Sequence, residues 1–373
     1  MKKSSLFNAQ LIYFIALIMF VLMRILVLVF DVSSSSASID LIINIFIQVG
    51  IMFLFPILAF SKTQKQKVKT TFKDFNYSKI SLISLVICVL IGFLCYFLNI
   101  TIASFFGSII RMLGYESAPS VSSGQGSSTL TIMSFLLEVF TVAILPAVCE
   151  ETMHRGLLLK GYSSLGIKKA IILSSILFGL MHLNINQFFY ATILGFIIAL
   201  SVIISKNIFP AIIIHFMNNF LSVYFTYATT NNWFGSKFYK FMTSFVSHDN
   251  LITFFATNVV LLLLILTGIV VLFAALLKQT RVKKVKTMLK DIADINKEYE
   301  TNQESLQQDQ NLANLYNLNT LMSQYNIKSL NSMVFTELEI KTQKATAYEK
   351  ILIISTIILG GIVTAFTFIW GII

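Results

Sequence analysis

The chain has 373 residues, of which 56% are hydrophobic and only 12% charged, and its mean hydropathy is +0.80. This excludes a water-soluble globule, in which about a quarter of the residues are charged. The net charge of +11 lies in short segments beside apolar runs, so it reads as a topology signal rather than a nucleic-acid surface, and no nucleic-acid partner is expected. Cys88, Cys95 and Cys149 all sit in apolar runs. Their odd number argues against a disulfide framework, and Cys149 reads as an inert buried thiol rather than a nucleophile.

In chain order, hydropathy predicts an all-α polytopic membrane bundle of about nine spans. The start Met1-Lys2-Lys3 leads into an apolar run without a small-residue cleavage site, so no cleavable signal is expected. The first two spans cover about Gln10–Phe30 and Ile39–Phe60, joined by a Ser33–Ser36 turn. Lys62–Lys79 holds six lysines against one Asp and is expected in the cytoplasm, as is the N-terminus of this multi-pass protein of the cell membrane. Span three, about Ile80–Ile102, leads to a Ser/Gly-rich external loop, Ser117–Ser128.

Span four runs from about Leu130 past Glu151 to Lys160. Span five lies between Lys168-Lys169 and about Asn184, and span six returns to Lys206 after the short turn Asn184–Gln187. Span seven starts at Asn207 with Pro210 in its first turn, where a missing N–H costs little. An aromatic-rich external loop, Thr229–Asn250, precedes span eight, about Leu251–Leu277. In the polar segment that follows, Val285, Leu289, Ile292, Ile295 and Tyr299 recur at helical spacing and predict a helix continuing span eight. Its basic start (Lys278, Arg281, Lys283, Lys284, Lys286, Lys290) suits an anionic cytoplasmic leaflet; the plainer reading is a topology signal and a helical hairpin without a ligand. Lys350–Ile373 is a last span. The parts are therefore 1–129 (N-terminal spans), 130–228 (core), 229–277 (loop and span eight), 278–349 (cytoplasmic helical segment) and 350–373 (last span), with the first eight spans forming the body to which the insert and last span are added.

Within spans four to seven stand Glu150-Glu151-x-x-x-Arg155, Phe178-x-x-x-His182 and His215-x-x-x-Asn219. Ionisable side chains in hydrocarbon are costly and persist where they face a partner or a polar cavity. At about 1.5 Å per helical residue, Glu150 lies about 15 Å from Lys160, His182 about 20 Å from Lys169, and His215 and Asn219 about 13 and 20 Å from Lys206. Those depths coincide near the middle of a bilayer about 30 Å thick. A single intramembrane His or Asn is often a helix–helix contact; four such residues at one depth on three helices point to a site.

Glu151 and Arg155, four apart, share a helical face and suit an ion pair. Glu150, about 100° round the helix, is left for another partner, and one of two adjacent desolvated carboxylates suits a general base. His154, four beyond Glu150, is placed to orient that carboxylate or to serve structure alone. Pro146 is expected to kink the helix just before the pair. Arg24 and Glu138 fall toward the outer interface, where snorkelling suffices, and His248 falls in an external loop.

The three patterns, in this order on successive spans, resemble the E-E-x-x-x-R, F-x-x-x-H and H-x-x-x-N motifs of the CAAX protease and bacteriocin-processing (CPBP) family of intramembrane proteases, over about Leu130–Tyr227. His154 departs from the resemblance, which has an aromatic or apolar residue there. The resemblance implies a glutamic-type endopeptidase needing no metal, with Glu150 and His182 activating water, His215 and Asn219 binding the oxyanion, and Glu151 and Arg155 in support. Its substrate would be a peptide precursor or membrane-associated protein reached through a cavity open to the cytoplasm. The abundance of Ile, Lys, Asn and Phe fits an AT-rich bacterial genome, which favours a precursor or leader peptide over a prenylated protein.

The rival readings are a zinc protease with His182, His215 and a carboxylate as ligands, against which stands the lack of an H-E-x-x-H pair; a non-proteolytic immunity or scaffold protein holding a peptide in the same cavity, for which an altered Glu150 would speak; and a proton-coupled transporter, for which no inverted repeat is detectable. The topology is directly testable: a Ser123→Cys thiol should be labelled by an impermeant reagent from outside the cell and a Lys67→Cys thiol should not, and the reverse pattern would overturn the orientation.

Overall fold

The computed structural model describes residues 5–30, 37–115, 131–246, 250–303 and 344–370, and its regular elements are all helical. The Lys2-Lys3 start, the Ser33–Ser36 turn, the Ser117–Ser128 loop, His248 and residues 304–343 of the polar segment lie outside the described residues. The first span, α1, is Ser5–Val29. The second is one rod in three parts: α2 (Ala37–Ile45), a π-helical stretch (Phe46–Leu54) and α3 (Phe55–Gln64). A short helix, α4 (Val68–Asp74), precedes the third span, α5 (Leu82–Met112), which starts where the Ser81 hydroxyl accepts from the Ser84 amide at 3.2 Å, a side-chain cap for an orphan donor.

The fourth rod alternates: α6 (Ile132–Glu138), a π-helical stretch (Val139–Ile144), α7 (Leu145–Glu151), a second π-helical stretch (Thr152–Leu158), α8 (Leu159–Tyr162) and a 3-10 turn (Ser163–Leu165). Then come α9 (Ile167–Met181), α10 (Ile185–Ser205), α11 (Phe209–Asn231), α12 (Ser236–Ser244), α13 (Leu251–Gln303) and α14 (Ala347–Trp370). The expected aromatic loop after span seven thus contains a two-turn helix, α12. Its Phe238 and Tyr239 rings fold back on Phe97 of α5 and Phe225 of α11.

Among the described residues, eight helices are long and apolar enough to cross a membrane, not nine. The fifth expected span is α9, only 15 residues, or about 22 Å of helix against about 30 Å of hydrocarbon. It stops because Leu183 takes a left-handed conformation (φ 51°) and Asn184 caps α10, accepting from the Asn186 amide at 2.8 Å. The turn makes α9–α10 a hairpin, packed along its length, whose second arm, α10, is long enough to cross a membrane. The helix expected beyond span eight is present: α13 continues to Gln303, 53 residues in all.

Basic connections gather at one end. Lys160 pairs with Asp74 at 3.1 Å, the Asn207 amide donates to the Ser78 carbonyl at 2.8 Å, and the Lys283 ammonium donates to the Lys79 carbonyl at 3.3 Å. The last span is built in rather than appended. Gln10 of α1 donates to the Thr356 hydroxyl at 2.6 Å and accepts from Tyr162, and the Ile185 amide at the hairpin turn donates to Thr367 at 3.2 Å.

Helix α5 crosses α11 at Gly92, where a Cβ would stand 2.5 Å from Met217 Cβ and 3.0 Å from the Ile214 carbonyl oxygen. Neither neighbour is a free side-chain end, so Gly92→Leu should cost about 1–3 kcal/mol by overpacking. A lowered thermal unfolding midpoint in detergent is the expected result, with Gly361→Leu, in open space, as the unshifted comparison; an unchanged midpoint for Gly92→Leu would contradict this close crossing.

Candidate active site

The polar residues of spans four to seven converge on the fourth rod. Pro146 gives no amide hydrogen to the Val142 carbonyl four residues earlier, and the helix answers by widening into the π stretch Val139–Ile144. The Asn219 side-chain amide donates to that Val142 carbonyl at 3.0 Å. Asn219 in turn accepts from Asn218 at 2.9 Å, and Asn218 from Asn99 at 2.5 Å. Asn219, read from the sequence as an oxyanion donor, therefore has one of its two amide hydrogens engaged with the backbone of the rod that carries the glutamates.

Glu151 is fully buried, and its Oε1 accepts from Arg155 Nη1 at 3.1 Å and from His215 Nδ1 at 2.8 Å. The expected ion pair is present, and His215 joins it. Arg155, 1% exposed, also donates from Nη2 to the Gly195 carbonyl at 2.9 Å. Its guanidinium carbon lies 4.4 Å above the Phe178 ring, a favourable arrangement in a desolvated place. The lack of a side chain at Gly195 lets α10 come this close, since a Cβ there would stand 3.2 Å from Phe178 and 3.3 Å from Arg155 Nη2.

Phe178 is the hub. His154, His182 and His215 each meet its ring edge to face, at centroid distances of 5.0, 5.1 and 5.6 Å, the geometry aromatic quadrupoles favour. The aromatic residue one turn before His182 thus gathers three imidazoles and a guanidinium round one apolar plate.

A carbonyl only accepts, so each Nδ1 found at one must carry the hydrogen. His182 Nδ1 donates to the Phe178 carbonyl at 2.8 Å, which leaves a lone pair on Nε2. His154 Nδ1 donates to the Glu150 main-chain carbonyl at 2.8 Å. His154 therefore does not orient the Glu150 carboxylate; it is fully buried between Tyr13 and Phe178.

Glu150 and His182 are half-buried and line a cavity of about 320 Å³ together with Arg24, Asp40, Asn44, Gln48 and Gln187. Phe20, Ile47 and Met181 supply apolar wall. Gln48 Nε2 donates to Glu150 Oε1 at 3.0 Å. The cavity sits by the end of α1 and the start of α2, so it lies toward the end of the bundle opposite the basic connections. The Glu150 face of the fourth rod there meets the C-terminal half of α1 (Phe20, Arg24, Val27), α2 and the π-helical stretch that follows it. Arg24 lies at this cavity with its guanidinium carbon 5.2 Å over the Phe20 ring, and Glu138 accepts from Tyr227 at 3.2 Å. Among the described residues, no three His, Cys, Asp or Glu side chains are grouped to hold a metal ion.

Sequence reasoning missed Gln48, Asn99 and Asn218. Each is an isolated polar residue in an apolar run, the same signal that singled out the histidines, but none stands in a motif.

Removing Arg155 would leave the buried Glu151 without its cation, at about 3–5 kcal/mol for a broken buried pair, whereas Glu150 bonds a neutral amide and strands no charge when truncated. Arg155→Ala should accordingly reduce the yield of monodisperse protein in size-exclusion chromatography well below that of Glu150→Ala. Equal yields would argue against the pair as a structural element.

Residues 132–221 match the family model described as Type II CAAX prenyl endopeptidase Rce1-like. The match spans Glu150, Glu151, Arg155, Phe178, His182, His215 and Asn219. No curated protein and no solved structure matches the chain. With the ordered motifs brought together round Phe178, residues 132–221 are a domain of the Rce1-like family of type II CAAX prenyl endopeptidases, and the chain that carries it is a multi-pass intramembrane protease of the glutamic type.

Proposed function

We propose that this protease hydrolyses peptide bonds of membrane-associated or peptide-precursor substrates with a water activated by Glu150 and His182. The observation that carries the reading is that these two side chains share one cavity while the Phe178 carbonyl fixes the His182 tautomer. A water there has two hydrogens, for which a Glu150 oxygen and His182 Nε2 are the acceptors. As its oxygen attacks the carbonyl carbon, Glu150 takes a proton, and it returns that proton to the leaving amine when the C–N bond breaks.

Charge developing on the substrate oxygen needs donors in a dry site. His215 gives Nδ1–H to Glu151, and in this reading the protonated ring donates to the substrate oxygen from Nε2. The second amide hydrogen of Asn219 supplies the other bond. Glu151 and Arg155 hold His215 in place and take no proton. The further amide acceptors and donors around Glu150 suit the backbone of an extended peptide.

With the basic end in the cytoplasm, the cavity lies toward the outer half of the membrane. That placement supports a peptide precursor presented from the external side over a prenylated C-terminus in the inner leaflet. Comparative peptidomics of membranes holding the wild type or Glu150→Ala would identify the substrate. Two internally quenched peptides in liposomes, one S-farnesylated at a CAAX-type end and one unmodified, separate the two classes.

In these assays Glu150→Gln and His182→Ala should abolish turnover. Asn219→Ala should retain residual activity, since loss of one oxyanion donor costs about 100- to 1,000-fold. All three should still bind peptide, the lost interactions belonging mainly to the transition state, and a chelator should have little effect. Full activity in Glu150→Gln would remove this mechanism, and a stoichiometric metal lost together with activity in chelator would replace it with the zinc reading.

A further inference from the structure

Gln48 stands in the π-helical stretch Phe46–Leu54, across the cavity wall from the glutamate rod. It is 8% exposed. Its Nε2 donates to Glu150 Oε1 at 3.0 Å, and this orientation of the amide is fixed chemically, because a carboxylate offers only acceptors. Its own Oε1 is buried and has no donor among the described residues.

Asn99 Oδ1 is likewise buried without a donor, but Asn99 is not among the residues that line the cavity. The Gln48 amide is satisfied at one end only, by Glu150, and it lines the cavity. A buried carbonyl oxygen without a donor is unfavourable, so the free end is matched to something that enters the cavity carrying an N–H.

We propose, on the reading that Glu150 is the general base, that Gln48 is a positioning residue of the peptidase site. Its amide hydrogen occupies Glu150 Oε1 and so presents Oε2 to the reacting water. Its carbonyl oxygen accepts a backbone N–H of the peptide laid along the cavity. One side chain thereby sets the orientation of the base and the register of the substrate against it. The bond to Oε1 persists when Glu150 is protonated, since the acid proton then resides on Oε2, the atom that must deliver it to the leaving amine. No proton passes through Gln48.

The test compares wild type, Gln48→Leu, Gln48→Asn (an amide one methylene too short to reach) and Glu150→Gln, each reconstituted in liposomes after its thermal unfolding midpoint has been checked. Two readouts are taken: turnover of the quenched peptide that the wild type cleaves, and the infrared carboxylate stretch of Glu150, assigned by its disappearance in Glu150→Gln. Both Gln48 variants should lose about 10- to 100-fold in kcat, the effect of a misaligned catalytic group. Both should raise KM several-fold and move the Glu150 carboxylate band, with an unchanged unfolding midpoint. Should one Gln48 variant fail to fold, the other carries the comparison, and the infrared arm needs no substrate. An inactive Glu150→Gln alongside wild-type kcat or an unmoved band in the Gln48 variants overturns this proposal alone; full activity in Glu150→Gln removes the hydrolytic reading and this proposal with it.

Discussion

A carboxylate with no exposed surface, placed in the interior of a membrane bundle, is the constraint on which the rest depends. Glu151 tolerates that position because Arg155, one turn on, and His215, from α11, both donate to the same oxygen. Arg155 also donates to the Gly195 carbonyl and lies over the Phe178 face. A buried pair of this kind adds little net stability and is costly to break, so its effect is to fix geometry. The fourth rod, α10 and α11 meet at this pair, through the Gly195 carbonyl and His215.

From that arrangement follows the division between the two adjacent glutamates. They lie about 100° apart round a helix, so when Glu151 turns to the sealed interior Glu150 is carried to the cavity. Short π-helical stretches on both sides of α7 let the rod adjust its phase locally without breaking, and such stretches recur at functional sites. The Asn99–Asn218–Asn219 relay closes the other flank by satisfying the carbonyl before Pro146. Charge is confined to one side of the rod and neutral amides hold the other.

The last span contributes to the same framework. Thr356 bonds Gln10, Thr367 bonds the Ile185 amide, and Gly360 packs on Leu180, so α14 lies along the hairpin whose turn carries His182. The polar segment between α13 and α14 is therefore linked at its far end to a helix that braces a cavity residue, while α13 extends from the basic end of the bundle.

Local chemistry wrote several features into the chain directly. The spans follow from runs of about twenty apolar residues, the Glu151–Arg155 pair from a four-residue spacing, the first turn of α11 from Pro210, and the extension of α13 from its apolar period. The depths of Glu150, His182, His215 and Asn219, counted from basic boundaries, placed them in one slab, and of these His182 and His215 both meet the Phe178 ring. These are properties of one helix at a time or of one helix against a bilayer, and a sequence carries them. What a sequence of this kind does not carry is rotation about each helix axis and the partner that rotation selects. Only the packed bundle decided that His215 donates to Glu151, that His154 bonds the Glu150 main chain, that Gln48 reaches the Glu150 carboxylate, and that the cavity faces away from the basic end. It also decided that α9 stops short of a full span, because a left-handed Leu183 and an Asn184 cap are affordable only where α10 folds back and packs against it. In a nearly uniform apolar chain the hydrophobic pattern leaves helix faces degenerate, and the pairing of a few buried polar groups removes the degeneracy.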